Sequence, residues 1–441
     1  MINYKHLYWI TFIVMTVGIV CGLNIAGISG AVSSIQDIFN LNDTRFGIIV
    51  SSLTIGCIIG SLILGYLSER YGRRKTLILT SILFIISSLG CALSNSTLSL
   101  IFYRFIGGLA VGTISFLGPM YISEIAPPKI RGRLVSLNQF AIVIGILLAY
   151  IFDYFLLGTI NSWRYMLIIP LIFSILCMIL SIKSLPESPR WLTLNNKKSE
   201  AKSIFEKIEG KELIKEDINN IEKSSSMKNK IFYKNFFRGN DKKIILIGLV
   251  LAIFQQIVGI NAVITYAPMI FKNIGIQSQS ALLQSIIIGL VNFLATIIAL
   301  WLIDKKGRKI LLICGALGMT ITLSYLAFAF RFSQNSILIL IAILMYVTFY
   351  AASFAPILGV ITSETFSNNF RGIAMSITSA INWLSAFMIV QFSPYILNNL
   401  GGNILFGIFA VFSLLALIFV KIYIPETKNK SLEEIEKELT S

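Results

Sequence analysis

Twelve runs of about twenty predominantly apolar residues recur along the chain, separated by shorter polar stretches. A helix rises about 1.5 Å per residue, so each run is long enough to cross the roughly 30 Å hydrocarbon core of a bilayer. Approximate spans are 8–30, 47–67, 76–95, 98–121, 134–157, 164–185, 243–271, 280–303, 310–332, 336–363, 371–397 and 402–424. With 56% hydrophobic and only 13% charged residues among 441, the chain has more apolar surface than a soluble domain can bury. Inside lipid, backbone polar groups must be satisfied within the segment, which for runs of this length means helices. The pattern predicts an all-α integral membrane protein with twelve transmembrane helices. Only Lys5 and His6 are basic before the first run, which lacks a small-residue cleavage pattern, so it reads as a retained helix.

The formal charge of +16 invites a nucleic-acid reading, but the basic residues follow topology. Arg70, Arg73, Arg74 and Lys75 lie between spans two and three, Lys129, Arg131 and Arg133 between four and five, and Lys305, Lys306, Arg308 and Lys309 between eight and nine. The alternate loops hold only Arg45, Arg164, Lys272 and Arg331. This is the positive-inside asymmetry. The expected partner is a lipid bilayer and no nucleic acid, with the chain crossing the cell membrane many times and both termini in the cytoplasm. The Lys-, Glu-, Asn- and Ser-rich segment 186–242 reads as a solvated cytoplasmic linker with short helices. It separates an N-terminal six-span bundle, 1–185, from a C-terminal one, 243–425, and a cytoplasmic tail, 426–441, follows, in which SLEEIEKEL has helical spacing. Cys21, Cys57, Cys91, Cys177 and Cys314 fall inside spans without metal-ligand spacing and read as small apolar packing residues.

The two halves repeat. GYLSERYGRRK (Gly65 to Lys75) follows span two and WLIDKKGRK (Trp301 to Lys309) follows span eight, with Glu69 or Asp304, then Gly, then Arg73 or Arg308 in one register. SEIAPPKIRG follows span four and SETFSNNFRG follows span ten, placing Glu124 before Arg131 and Glu364 before Arg371 at equal separation. A duplicated six-helix unit results. Acids and bases at these helix ends are expected to pair across helices, within a half or between halves; the alternative is that the cations only fix topology. Gly56 and Gly60, like Gly108 and Gly112, have the small-x-x-x-small spacing that lets helices approach closely.

YRFIGGLAVG, PMYISEIAPPKIRGR, NQF (Asn138 to Phe140), PESPRWL (Pro186 to Leu192), FQQIVGINAVITYAP and PETK (Pro425 to Lys428) join those loops along nearly the whole chain. Together they resemble the sugar porter family of the major facilitator superfamily, which includes the glucose facilitators and the bacterial xylose and arabinose proton symporters. The resemblance implies two pseudo-symmetric six-helix bundles rocking about a central site.

IFQQIVGINAVITYAP places Gln255, Gln256 and Asn261 in an apolar run with no charge beside them. An unpaired amide in apolar surroundings costs about 2 to 7 kcal/mol, so each needs a partner. On a straight helix the three lie near 0°, 100° and 240° and would scatter; Gly259 and Pro268 are placed to break the helix and gather them. Gln139 in span five, Asn292 in span eight and Asn382 beside Trp383 in span eleven are further uncharged polar candidates. Amides beside an indole suit a neutral polyhydroxyl ligand, a small-molecule sugar; the alternative is amides joining helix to helix. The resemblance implies that Gln139, Gln255, Gln256, Asn261, Asn292 and Asn382 hold sugar hydroxyls.

There are departures from the family. Phe354 and Gly359 stand where it usually has Trp, and Ala386 where it usually has Asn, so the pocket is expected to be wider and one wall less polar. Arg104 matches an arginine that pairs, in proton-coupled relatives, with a first-span Asp; the matching residue here is Asn24, which takes up no proton near neutral pH. This favours facilitated diffusion. Asp153, toward the end of span five, is the alternative proton acceptor for a symporter, against a reading as a solvated interfacial carboxylate. Glu187 and Arg190 of PESPRWL, with Glu426 of PETK, are expected to join helix and bundle ends when the opposite face is open. No nucleophile and base pair or metal cluster appears in the spans, so neither an enzyme nor a cofactor is expected. A non-transporting sugar sensor and a drug exporter are the other readings, disfavoured by short tails and by amide-rich lining respectively. Each chain holds a complete pathway, so a functional monomer is expected.

Overall fold

The structure, a computed structural model, describes residues 4–127, 130–208, 241–273, 278–332, 336–366, 371–424 and 426. Twelve helices among them are long and apolar enough to cross a membrane. In the N-terminal half they are Tyr4–Ala26, Thr44–Tyr71, Arg73–Leu93, Thr97–Ile125, Arg131–Leu156 and Ser162–Ser184. The C-terminal half has Ile244–Asn273, Ser280–Ile303, Arg308–Phe332, Ser336–Thr362, Gly372–Leu400 and Gly402–Tyr423. We number them spans 1 to 12. Large apolar side chains such as Ile63, Ile172, Ile298 and Val411 remain exposed on the outside of the bundle, the surface a multi-pass membrane protein turns to lipid. Cys21, Cys57, Cys91 and Cys177 are buried as small packing residues, whereas Cys314 is exposed, which corrects the reading of all five as packing residues.

Close helix contact depends on residues without side chains. A Cβ on Gly56 would run into the Phe105 carbonyl of span 4, and one on Gly108 into the Leu53 carbonyl of span 2. Spans 2 and 4 therefore pack backbone to backbone. The halves meet along spans 2 and 11, where the Ser61 and Ser379 hydroxyls lie 3.0 Å apart and the Ser376 hydroxyl donates to the Ser61 carbonyl at 2.6 Å. Spans 5 and 8 form the opposite seam, with Phe140 stacked on Phe293.

Two spans are broken where the site lies. Span 7 consists of helices Asp241–Ile257 and Ile260–Asn273, and Gly259 between them has φ +97°, in the region where a side chain is strained. Span 10 is interrupted at Ala352 and Ser353, between Ser336–Ala351 and Phe354–Thr365. Carbonyls freed by these breaks and by prolines find tyrosines. The Tyr346 hydroxyl donates to the Val258 carbonyl at 2.9 Å. Pro268 has no N–H for the Ile264 carbonyl, which accepts from Tyr150 of the other half at 2.6 Å. Pro394 likewise releases the Val390 carbonyl, which accepts from Tyr266 at 2.8 Å.

Of the linker expected at 186–242, helices Pro189–Leu194 and Lys198–Ile208 are observed; 209–240 and the tail beyond 426 lie outside the described residues.

Candidate substrate site

Between the halves lies a cavity of about 160 Å³. Gln139, Gln255, Gln256, Asn261, Asn292, Asn382 and Trp383 all line it. Its wall also includes Pro119 near the end of span 4, Ser136 near the start of span 5, Thr362 at the end of span 10 and Met375 near the start of span 11. Those ends adjoin the basic loops, so the cavity runs from the helix breaks toward that face. Toward the opposite end the lining is apolar, with Ile25, Ile146 and Ile264.

Four of the amides bond to one another. Asn382 Nδ2 donates to Gln255 Oε1 at 2.8 Å and to the Ala252 carbonyl at 2.9 Å, while its Oδ1 accepts from Gln256 Nε2 at 2.9 Å. Gln256 Oε1 accepts from Asn261 Nδ2 at 2.6 Å, and Gln255 Nε2 donates to the Phe354 carbonyl exposed by the break in span 10, at 2.9 Å. The break at Gly259 is what permits Asn261 to reach Gln256, five residues back. This network belongs wholly to the C-terminal half and fixes which amide atoms remain to face the cavity. Trp383 crosses the interface, its Nε1 donating to Ser115 Oγ at 3.2 Å. The Gln139 and Asn292 side-chain amides have no hydrogen-bond partner among the described residues, although Asn292 is only 4% exposed.

A Cβ on Gly359 would meet no atom of the described residues within 4 Å, so the wall there is open. Ala386 and Phe354 are buried off the cavity, which corrects the expectation that Ala386 forms part of its wall. Ser115, Asn138, Tyr350 and Ser379 also line it and were not singled out from the sequence. Asn138 carries a buried Oδ1 without a partner among the described residues and has a sequence signal, as the neighbour of Gln139 in NQF.

At the basic-loop end, Arg73 gathers the acids of its own half. Its guanidinium bonds Glu69 at 2.8 Å, Glu124 at 2.9 and 3.1 Å and the Ser68 carbonyl at 3.0 Å. Glu187 makes no ion pair among the described residues; it accepts from the backbone N–H groups of Arg73, Arg74 and Ser188 at 2.8 to 3.3 Å, capping the start of span 3. That corrects its place among the salt bridges. Burial pushes its carboxyl above the usual range against those donors. Glu426 caps span 9 in the same way, through Arg308 N and Lys309 N at 3.0 and 3.1 Å. Arg190 faces Glu124 and Arg131 but makes no ion pair within 4 Å among the described residues, and burial lowers its guanidinium from its ordinary value. Arg131 donates to the Ala126 carbonyl at 3.3 Å. The Glu69 carboxylate touches span 11 at Gly372, where a Cβ would displace it. The side chains of Asp304, Glu364 and Arg371 lie outside the described residues.

Asn24 and Arg104 share a small cavity, with Asn24 Nδ2 donating to the Val20 carbonyl at 2.9 Å. Asp153 is 1% exposed and accepts from the Gly30 N–H at 2.9 Å, which overturns its reading as a solvated carboxylate.

The family model for sugar (and other) transporters matches residues 10–439. The chain is 37% identical to a D-xylose-proton symporter of Escherichia coli (strain K12), covering 98% of this chain and 96% of that one. It is 38% identical to an arabinose-proton symporter of Bacillus subtilis (strain 168), over 95% and 92%. Among solved structures, the major facilitator proton:xylose symporter XylE bound to 6-bromo-6-deoxy-D-glucose matches with a TM-score of 0.90 at 37% identity, covering 99% of this chain and 100% of that one. The twelve helices in two six-helix halves, the central amide cavity and these matches place the chain in the sugar transporter family of the major facilitator superfamily, a family of transporters and not of enzymes.

Proposed function

We propose that the protein carries a monosaccharide across the membrane by alternating access, binding it in the central cavity and moving it down its own gradient. The observation that carries this reading is the amide lining: Gln256, Asn261 and Asn382 are held by one another, while Gln139 and Asn292 on facing spans have open hydrogen-bonding capacity. A sugar hydroxyl donates and accepts at once, which matches an amide on either side, and the ring's C–H face fits against the Trp383 indole. Passive transport is favoured by Asn24, an amide without a titratable proton beside Arg104. The cargo is a hexose or a pentose, no cofactor takes part, and one chain suffices for one pathway. The Arg73 cluster, with Glu69 against span 11, serves as the cytoplasmic gate in this scheme.

A second reading, proton symport, is favoured by one observation: Asp153 is a buried carboxylate. Uptake of labelled glucose, xylose and arabinose into proteoliposomes, with and without an imposed proton gradient, separates the two. Uptake that stops at equal concentrations and ignores the gradient supports facilitation. Accumulation driven by an acid exterior and abolished by a protonophore shifts the mechanism to Asp153, and no uptake of any sugar removes the amide site as the basis of the proposal.

A further inference from the structure

Arg104 is a buried cation with no counter-charge among the described residues. It lies inside span 4, is 4% exposed, and makes no ion pair among the described residues. Its Nε has no hydrogen-bond partner among the described residues. The ionisable groups facing it are Cys91 of span 3, Tyr266 of span 7 and Cys57 of span 2, none of them anionic at neutral pH by its ordinary titration. Buried charges are ordinarily paired, because removing an ion from water without compensation is among the costliest steps in folding.

Beside Arg104 is a cavity of about 10 Å³, space for one water-sized species. Asn24, Ser87 and Ser88 supply its other polar lining, and the Ser88 hydroxyl, 2% exposed, also lacks a partner among the described residues. A water there would serve the hydroxyl and leave the charge. A metal cation would be repelled, and a carboxylate or phosphate is too large. We propose that Arg104 and Ser88 hold a chloride ion in this cavity, as the counter-charge that no described residue provides. Because Tyr266, from the other half, faces the same guanidinium, occupancy of the cavity acts on the interface between the halves, so transport responds to chloride as well as to cargo.

The test needs no transported substrate and stands apart from the sugar reading. Purified full-length protein in detergent is melted in sodium chloride and in sodium gluconate at equal ionic strength. The expected result is a Tm about 3 °C higher in chloride, saturating with its concentration as ligand binding to the native state requires. Asn24→Asp puts a fixed carboxylate into the cavity wall and Arg104→Gln removes the charge, so in either variant the two salts give the same Tm. Equal melting of the wild-type protein in both salts overturns the proposal. So does a chloride shift that persists in the variants, since the ion then binds elsewhere. Crystals grown in bromide provide a check without mutation: anomalous density beside Arg104 supports the site, and its absence sinks it.

Discussion

Two buried polar clusters differ in how fully their hydrogen-bonding groups are used. At the basic-loop end, every nitrogen of the Arg73 guanidinium has an acceptor, and its partners belong to spans 2 and 4 of the same half. At the centre, the amides of spans 7 and 11 bond to one another while Gln139 and Asn292, on spans 5 and 8, bond to nothing described. A saturated, charged cluster within one half holds that half rigid and has no capacity left for cargo. An amide set that is fixed on one side and open on the other has both a defined shape and groups to offer. The contrast separates structure from binding, and it can be broken from either side.

The largest effect is expected at the saturated cluster. Arg73→Ala takes from Glu124, 5% exposed, its only ion pair among the described residues and leaves it the more distant Arg190 charge; loss of one partner of such a buried pair costs up to about 3 to 5 kcal/mol. Thermal melting of the purified protein should show a collapse in stability, and folded yield should fall with it. A variant that melts like the wild type would mean that the cluster is dispensable. Next comes Asn382→Ala, which removes one partner each from Gln255, Gln256 and the Ala252 carbonyl. Each group left unsatisfied costs about 1 to 3 kcal/mol. The fold should persist, while the KM for sugar uptake rises about tenfold or more. Unchanged KM would show that the network does not shape the site.

How much of this contrast could be read from the sequence depends on what the helix surface records. Apolar runs set the twelve spans, and Gly259 with Pro268 marked the break in span 7, because both residues act through the backbone and need no neighbour to be understood. The amides were conspicuous since lipid and core are both apolar, so any uncharged polar side chain in a span needs a reason. The same uniformity hid orientation. A membrane helix is apolar on every side, so periodicity does not separate the lipid face from the packed face. From sequence Cys314 therefore reads as packed although it is exposed, and Ala386 reads as cavity wall although it is buried off the cavity. Asp153 misled for a related reason: closeness to the end of span 5 suggested water, whereas the Gly30 segment folds over it. Glu187 and Glu426 announced themselves as acids in matched motifs, but capping of a helix start by a carboxylate from a distant segment is a tertiary contact with no local signature.

Gln139→Ala tests the open side. Because no described protein group bonds that amide, stability should change by no more than about 0.5 kcal/mol. Losing one neutral hydrogen bond to cargo, about 1 kcal/mol, should raise KM roughly fivefold with little change in maximal rate. The pairing of a KM effect with an unaltered Tm is the signature that distinguishes it from Asn382→Ala. A loss of stability with unchanged KM would assign Gln139 to helix packing.

The smallest effect should come from the wall that is empty. The space beside Gly359 accepts a side chain without displacing an atom within 4 Å of its Cβ. Gly359→Trp should therefore fold, provide a second aromatic surface opposite the amides, and narrow the cavity. The bulkier sugars lose room while smaller ones gain contact, so the ratio of glucose to xylose affinity should shift by about threefold, the scale of one aromatic contact of roughly 0.7 kcal/mol. Competition of each unlabelled sugar against labelled substrate in proteoliposomes measures that ratio directly. An indole at 359 that leaves every sugar's affinity unchanged would mean that the cargo does not reach this wall, and that the span 10 side of the cavity serves the pathway rather than the binding site.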